Sequence, residues 1–490
     1  MTHVIGLDLG TTNCKAIVMD EAGQVKASAE RSYRLHAPRP GWAIQDAIKV
    51  WQQSAAAIHD AVDQVDGTFI DALSISGAMH SLVPIGTKNQ ALTPALTWAD
   101  SRPGTFVDKL RAEADPIALY QQTGSPIQAP YHTVRLRWFQ HNMPDLMNHL
   151  RYVVSIKDWV QFNLTGEWAT DLGMASTTGL LNIYDLDWHQ PALDLAQIDR
   201  DQLPPLISPL DMAGHLTKAA ADQTGLQSGI PVFGGGSDGG LANLGSGAVD
   251  PGDMIITIGT SGAARLIVHE PTLDPDGDST WCYVLTEGRY FAGGAINNGG
   301  LTLRWVRQTF YQDIRNDDDA FEQIAADAMR IPVGAEQVFV LPYLTGERSP
   351  RWDNNVRATI TGLGLEHSRA HVARAALEGV AYCIRDVCQA LGFTEHSPSS
   401  ISLTGGITRL PIWSQILADV IGAPLQPIEV ADASAVGAGI IALHGLDAST
   451  SLDLRRSSEP SGLIQPDRAN TERYARLHQR YDELYDLLYP

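Results

Sequence analysis

The chain has 490 residues, of which 44% are hydrophobic and 19% charged, with a formal net charge of −21. That length exceeds what one hydrophobic core serves, so two main domains of ordinary globular composition are expected. The acidic balance argues against nucleic acid and anionic membrane surfaces as partners, while leaving room for an anionic substrate in a locally positive pocket. Cys14, Cys282, Cys383 and Cys388 lack metal-ligand spacing, and free thiols in a reducing cytosol are expected. Met1-Thr2-His3 leads straight into a strand without a signal peptide, and no apolar run approaches 18 residues. A cytoplasmic protein with no membrane segment follows as the expectation.

The first predicted element is Val4 to Lys15, running on to Met19. Two apolar runs flank Gly10-Thr11-Thr12, the pattern of a β-hairpin. Gly10 permits close approach of a ligand, and the hydroxyls of Thr11 and Thr12 with successive backbone N–H groups form an anion nest suited to phosphate. Asp8 at its mouth would repel phosphates without an intervening cation, so it is expected to hold a hydrated Mg²⁺. Lys15 can place a positive charge on the same phosphates. The plainer reading is an ordinary hairpin that opens a sheet.

Residues 1–30 read as a meander, Gln45 to Val65 as a helix, and Ala72 to Ser76 as a strand. Met79 and His80 lie in the turn after that strand, before a second strand from Leu82 to Ile85. A further extended segment ends in Trp98, Asp100 and Arg102, and polar groups at strand ends are where α/β folds place ligands. Pro116 to Ser208 is mixed and rich in aromatics. Ile230 to Phe233 is a short strand leading into a glycine-dense passage, Gly234 to Gly252. Asp238 is placed in a loop there, where a carboxylate can accept the proton of a substrate hydroxyl. The alternative is an Asp that merely supports a local turn. Gly234-Gly235-Gly236-Ser237-Asp238-Gly239 fits a dinucleotide fingerprint, but the segment after it is too glycine-rich for a long helix, so that reading is set aside. No P-loop is present.

Ile255 to Val268 repeats the opening pattern, with Gly259-Thr260-Ser261 as the turn, 249 residues after Gly10. The repeat implies two domains of one topology, each with a phosphate-binding hairpin. Ser368 caps a long helix that Gly392 ends. Ile401 to Thr404 is a strand entering Gly405-Gly406, and Pro411 opens the following helix; this unit resembles a nucleotide clamp. Tyr474, Leu477, Tyr481, Leu484 and Leu488 mark an amphipathic C-terminal helix, which more often packs on its own domain than serves a homodimer. The expected division is 1–248, 249–450 and a tail over 451–490.

In their order these motifs resemble the FGGY family of sugar kinases over roughly Val4 to Gly445. The resemblance implies an α/β fold of two actin/Hsp70-like (ribonuclease H-like) ATPase domains around a central cleft. It implies phosphate contacts from Asp8 to Lys15 and from Ile258 to Gly262, an adenosine motif from Leu403 to Gln415, and Asp238 as general base. Asn298 falls to the nucleotide side. Ile407 departs from the Ala commoner in the family. The activity implied is ATP- and Mg²⁺-dependent phosphorylation of a sugar or polyol hydroxyl. Ala78-Met79-His80-Ser81, Thr97 to Arg102, Ser155 to Trp159, Ala295 to Gly300 and Gly346 to Asp353 lean toward the family's gluconate kinases, with xylulose kinases as the alternative. Gluconate phosphorylated to 6-phosphogluconate is the expectation. Its carboxylate would meet Arg102, Lys157, Arg348 or Arg351, beside Met79, His80, Trp98 and Asp100. A sugar-independent Hsp70- or actin-like ATPase is the competing class. It is disfavoured because no β-rich peptide-binding domain follows residue 450 and because the Met79-His80 and Asp238 loops resemble sugar-kinase features.

Overall fold

The computed structural model describes residues 2–65, 67–275, 277–393, 398–429, 431–454 and 462–489. Part of the tail expected over 451–490 therefore lies outside the described residues. The chain divides into two compact units that do not follow chain order. One comprises Met1–Val249, Val268–Phe291 and Val430–Ser457; the other comprises Asp250–Ile267, Ala292–Glu429 and Ser458–Pro490. The expected division at residue 248 is continuous in sequence, whereas these units exchange segments.

The first unit is built on a six-stranded sheet in the order Met212–His215, Pro231–Ser237, Ala72–Gly77, His3–Leu9, Asn13–Asp20 and Val25–Ser32. His3–Leu9 and Asn13–Asp20 form the predicted hairpin, with Asp8 opposite Lys15. His3–Leu9 also runs parallel to Ala72–Gly77, with Asp8 beside Ser76, and Pro231–Ser237 lies parallel on the far side of Ala72–Gly77. The three parallel strands thus end together, at Gly10, Met79 and Asp238.

Side chains alternate across the sheet. Ile5, Leu7, Leu9, Cys14, Ala16 and Val18 pack into a core with Val50, Trp51 and Ile58 of the helix Ala47–Asp63. Val4, Ile17 and Met19 face the other way, onto Val436 and Ile440 of the helix Ala433–Leu446. That contact is backbone against backbone. A Cβ on Gly6 would lie 1.9 Å from the Ala435 carbonyl oxygen, and one on Gly245 would lie 1.9 Å from that of Ala433. Alternation puts Asp8 and Lys15 on this same face.

In the second unit, Asp253–Ile258 pairs antiparallel with Gly262–Val268 and parallel with Ser400–Thr404. The expected second hairpin is therefore present, with the same neighbouring parallel strand. It is one residue tighter. Leu9 pairs with Cys14 across the first turn, whereas Ile258 pairs with Gly262 across the second. Helices Gly300–Phe310, Asp317–Arg330, Arg369–Ala390, Pro411–Ile421 and Arg468–Leu488 belong to this unit, and Ser368 caps the third of them as expected. The C-terminal helix buries Tyr474, Leu477, Tyr481 and Leu484. Within its own unit, Tyr481 donates to the Tyr343 hydroxyl at 2.9 Å.

Candidate active site

The first Gly-Thr-Thr turn is braced from below. Gly10 N–H donates to Asn13 O at 2.9 Å, and the Gln45 side-chain amide donates to Thr11 O at 2.8 Å. The Tyr33 hydroxyl stands 2.6 Å from Gly10 O. The indole N–H of Trp98, a residue 40% exposed, donates to Thr11 Oγ1 at 3.0 Å. Trp98 therefore touches the Gly10-Thr11-Thr12 turn as well as the polar strand end where its sequence placed it. Thr12 is exposed.

Asp8 is half-buried and accepts from Ser76 Oγ at 2.7 Å. Burial raises its pKa to about 7; the Ser76 hydrogen bond opposes this, and the carboxylates of Asp238 and Asp432 add to the rise. Lys15 Nζ lies 2.5 Å from Asp432 Oδ1. Three carboxylates thus influence one locus where Lys15 pairs with one of them. Such a group of carboxylates at a partly buried site fits a divalent cation held at Asp8.

Asp238 corrects the sequence expectation of a loop. It is the first residue of the helix Asp238–Gly245, whose N-cap is Ser237. Glycine content did not prevent this helix, because the glycines sit where neighbours crowd it: a Cβ on Gly240 would meet the Phe291 ring at 3.0 Å. Asp238 Oδ1 accepts from Gly239 N–H at 2.7 Å and from Met79 N–H at 3.4 Å. The Met79 turn and the expected base are therefore directly joined.

His80 adopts a left-handed backbone with φ 61°. Its Nδ1 lies 2.8 Å from Thr177 O, an acceptor, which assigns the proton to Nδ1. The ring stands edge-on to Tyr131 and Tyr283 at 4.9 and 6.0 Å. Their hydroxyls are 2.6 Å apart. Sequence reading missed Arg135. It is fully buried, donates to His80 O, and donates to Thr97 O at 2.5 Å, so it joins the Met79-His80 turn to the Trp98 segment. Burial lowers its pKa to about 9, against the opposing charge of Asp100. A buried Arg whose hydrogen-bond partners are carbonyl oxygens leaves no sequence pattern.

The cations expected to meet a substrate carboxylate have protein partners. Arg102 makes a two-pronged contact with buried Asp100 at 2.8 and 2.7 Å and stacks 3.7 Å over Trp42. Asp100 also accepts from Ala43 N–H at 2.9 Å. Lys157 departs furthest from expectation: it is fully buried, 2.7 Å from Asp171, and so is a core ion pair. In the second unit, Arg348 donates to Ile296 O at 3.0 Å, and Arg351 is bound by Asp386 at 3.2 Å and Asp482 at 2.8 Å.

The second turn, Gly259-Thr260-Ser261, carries the start of the helix Gly300–Phe310: Gly300 N–H donates to Gly259 O at 2.6 Å and Gly299 N–H to Thr260 O at 3.1 Å. Asn298 is buried and donates to Gly346 O at 2.9 Å, so in this structure it secures the Gly346 loop. In that loop burial pushes the Glu347 carboxyl up to about 8, although it accepts from Arg348 N–H at 2.8 Å. Gly405, with φ 94°, brings its backbone to the second hairpin, where a Cβ would lie 2.5 Å from Ile258 O. Gly405 and Gly406 are exposed. Trp413 and Gln415 of the expected adenosine motif turn inward, to Leu377 O at 3.2 Å and Asp419 at 2.8 Å.

Among the described residues, two further clusters in the second unit carry metal-ligand residue types, Glu336-His367-His371 and Asp386-His478-Asp482. In the first, the Nδ1 atoms of His367 and His371 accept from Gly364 and Ser368 N–H, which leaves the proton on each Nε2. In the second, Arg351 already supplies the cation.

Two like hairpins, each beside a parallel strand and each with a hydroxyl-bearing turn, fit a pair of phosphate-binding α/β units of the actin/Hsp70-like kind. Comparison with known proteins specifies the family. Residues 3–245 match the N-terminal domain, and residues 254–446 the C-terminal domain, of the FGGY family of carbohydrate kinases, and the chain belongs to that family. It is 33% identical to a gluconokinase of Bacillus subtilis over 92% of this chain and 89% of the relative. It is 29% identical to a xylulose kinase of Escherichia coli over 99% of both chains. The crystal structure of gluconate kinase from Lactobacillus acidophilus superposes with a TM-score of 0.94 at 30% identity, covering 99% of this chain and 98% of that one. A ligand-bound xylulose kinase from the same organism also gives 0.94 at 30%, covering 100% and 98%. The protein is a carbohydrate kinase that acts on a small sugar-type substrate with ATP.

Proposed function

We propose that the protein phosphorylates D-gluconate at its far hydroxyl, giving 6-phosphogluconate and ADP. The observation that carries the reading is Asp238, fixed by the Gly239 and Met79 amides beside His80 at the ends of three parallel strands. In this reading Asp238 accepts the hydroxyl proton as the oxygen bonds to the γ-phosphorus and the bond to the β-phosphate oxygen breaks, leaving ADP. Met79, His80, Trp98 and Asp100 shape the sugar side. Gly10, Thr11, Thr12 and Lys15 are read as phosphate contacts of the first unit, and Gly259, Thr260, Ser261, Asn298, Gly405 and Gly406 as nucleotide contacts of the second. In this reading residues 1–248 carry the sugar-binding residues and the first phosphate turn, and residues 249–450 carry the second turn and the adenosine motif. Mg²⁺ held at Asp8, when bound, neutralises charge on the transferring group. Most of the acceleration is positioning and electrostatics.

Gluconate is favoured over xylulose by Ala78-Met79-His80-Ser81 and by the 33% identity to the Bacillus subtilis gluconokinase. Arg102, Lys157, Arg348 and Arg351 are the candidates for meeting the gluconate carboxylate, and each of them also has protein partners. Xylulose is the second reading. A cytoplasmic setting is supported by four buried thiols. Among the described residues no helix is long and apolar enough to cross a membrane. A homodimer gains little support from the C-terminal helix, which buries Tyr474, Leu477, Tyr481 and Leu484 and leaves Leu488 of the expected stripe exposed. The test is Mg²⁺-dependent ADP release with gluconate and xylulose side by side and Asp238→Asn as control. Stimulation by gluconate, lost in the variant, is the expected result; stimulation by xylulose alone would replace the substrate.

A further inference from the structure

We propose that Asp432 is a positioning residue for Lys15: its carboxylate holds the lysine ammonium while no nucleotide is bound and yields it to the phosphates of an incoming nucleoside di- or triphosphate. The inference rests on the proposed reading of Lys15 as a phosphate ligand. Asp432 precedes the first residue of the helix Ala433–Leu446, where an Asp ordinarily accepts from the open N–H groups of the first turn. Asp46, Asp115 and Asp467 do so in this chain. Asp432 does not: it makes no side-chain cap hydrogen bond, adopts a left-handed φ of 63°, and stands 2.5 Å from Lys15 Nζ.

The position of Asp432 is fixed from behind. Gly6, Gly245 and Gly437 leave no room for a Cβ against the neighbouring backbone, and Ser434 Oγ donates to Asp238 O at 3.2 Å. Lys15 is fixed by its strand, which turns it to the same face. The pair remains open to solvent, with 28% and 19% of the two side chains exposed, so an anion can reach it. A phosphate that takes Lys15 must first displace the Asp432 carboxylate from it. The ion pair therefore weakens nucleotide binding and favours loss of ADP. Partly exposed pairs of this kind are worth little, so the effect expected is a few-fold.

The test measures MgADP affinity by calorimetry, and the KM for ATP at saturating sugar, in Lys15→Ala, Asp432→Asn and the double variant. Lys15→Ala should weaken MgADP at least tenfold. Asp432→Asn should tighten MgADP about two- to fivefold and lower the KM for ATP equally. The double variant should match Lys15→Ala, because Asp432 acts only through the lysine. A merely structural Asp432 would weaken binding when lost. Asp432→Gly, which accepts the left-handed backbone, serves as the second variant should Asp432→Asn fold poorly, and should tighten MgADP likewise. Weaker or unchanged MgADP binding in the Asp432 variants, with Lys15→Ala impaired, overturns the proposal. Unchanged nucleotide binding in Lys15→Ala overturns the reading of Lys15 itself.

Discussion

Ser76 and Asp8 stand side by side on adjacent parallel strands, and the serine hydroxyl donates to the carboxylate at 2.7 Å. This bond favours the ionised acid, while burial and two neighbouring carboxylates favour the protonated one and win, giving a pKa of about 7. The folded state therefore binds a proton that an unfolded Asp loses near pH 4. A raised folded pKa contributes stability that is fully present below the unfolded value and lost as pH rises through about 7. The melting temperature of the metal-free protein should fall between pH 5 and pH 7, and Asp8→Asn should flatten that slope. Ser76→Ala should move the slope to higher pH.

Asp238→Asn keeps the shape of the side chain and its backbone hydrogen bonds while removing its capacity to take a proton. Steady-state kinetics should show kcat reduced by roughly 10²–10⁴ with little change in either KM. The melting temperature should stay close to that of the parent.

Lys157 and Asp171 form a fully buried pair, so removing either partner strands a charge. Lys157→Ala should cost about 3–5 kcal/mol in chemical denaturation. A variant that instead stayed stable and lost only gluconate affinity would return Lys157 to the substrate.

Arg348→Ala should raise the KM for gluconate about tenfold, as loss of one charge-assisted contact does, and leave xylulose unaffected. Arg102→Ala should change stability more than KM, because Arg102 is held by Asp100 and Trp42. If neither variant alters the gluconate KM, neither arginine clamps the carboxylate.

Gly6→Ala should be tolerated poorly. The added methyl meets a helix carbonyl at 1.9 Å, so the helix must shift or the sheet must bend, at a cost of about 1–3 kcal/mol or more, measurable by urea denaturation.

Both hairpins were legible in the sequence because turn chemistry and alternation are local signals. The helix read from Gln45 to Val65 was legible from its apolar spacing, although it spans Ala47–Asp63, and the cap at Ser368 was legible as a local signal. The helix that begins at Asp238 was not. Glycine lowers helix propensity, and only the packing of Phe291 and Ala433 explains why glycine is needed there. Lys157 looked available because nothing local announces that Asp171, fourteen residues later, lies against it. Arg135, Tyr33 and Gln45 reach the site through backbone carbonyls, which any sequence supplies. The interchange of segments between units was equally hidden, since the chain order of the motifs is preserved.

The helix Ala433–Leu446 closes one face of a sheet whose first strand is His3–Leu9. On the ribosome that strand emerges more than 400 residues before its cover. At about 5–20 residues per second, Val4, Ile17, Met19 and Phe233 stay without their helix for on the order of half a minute. The opening unit cannot finish folding as it is made. A nascent chain halted before residue 433 should present this apolar face to chaperones and proteases, and synthesis of the last tenth of the protein should remove it.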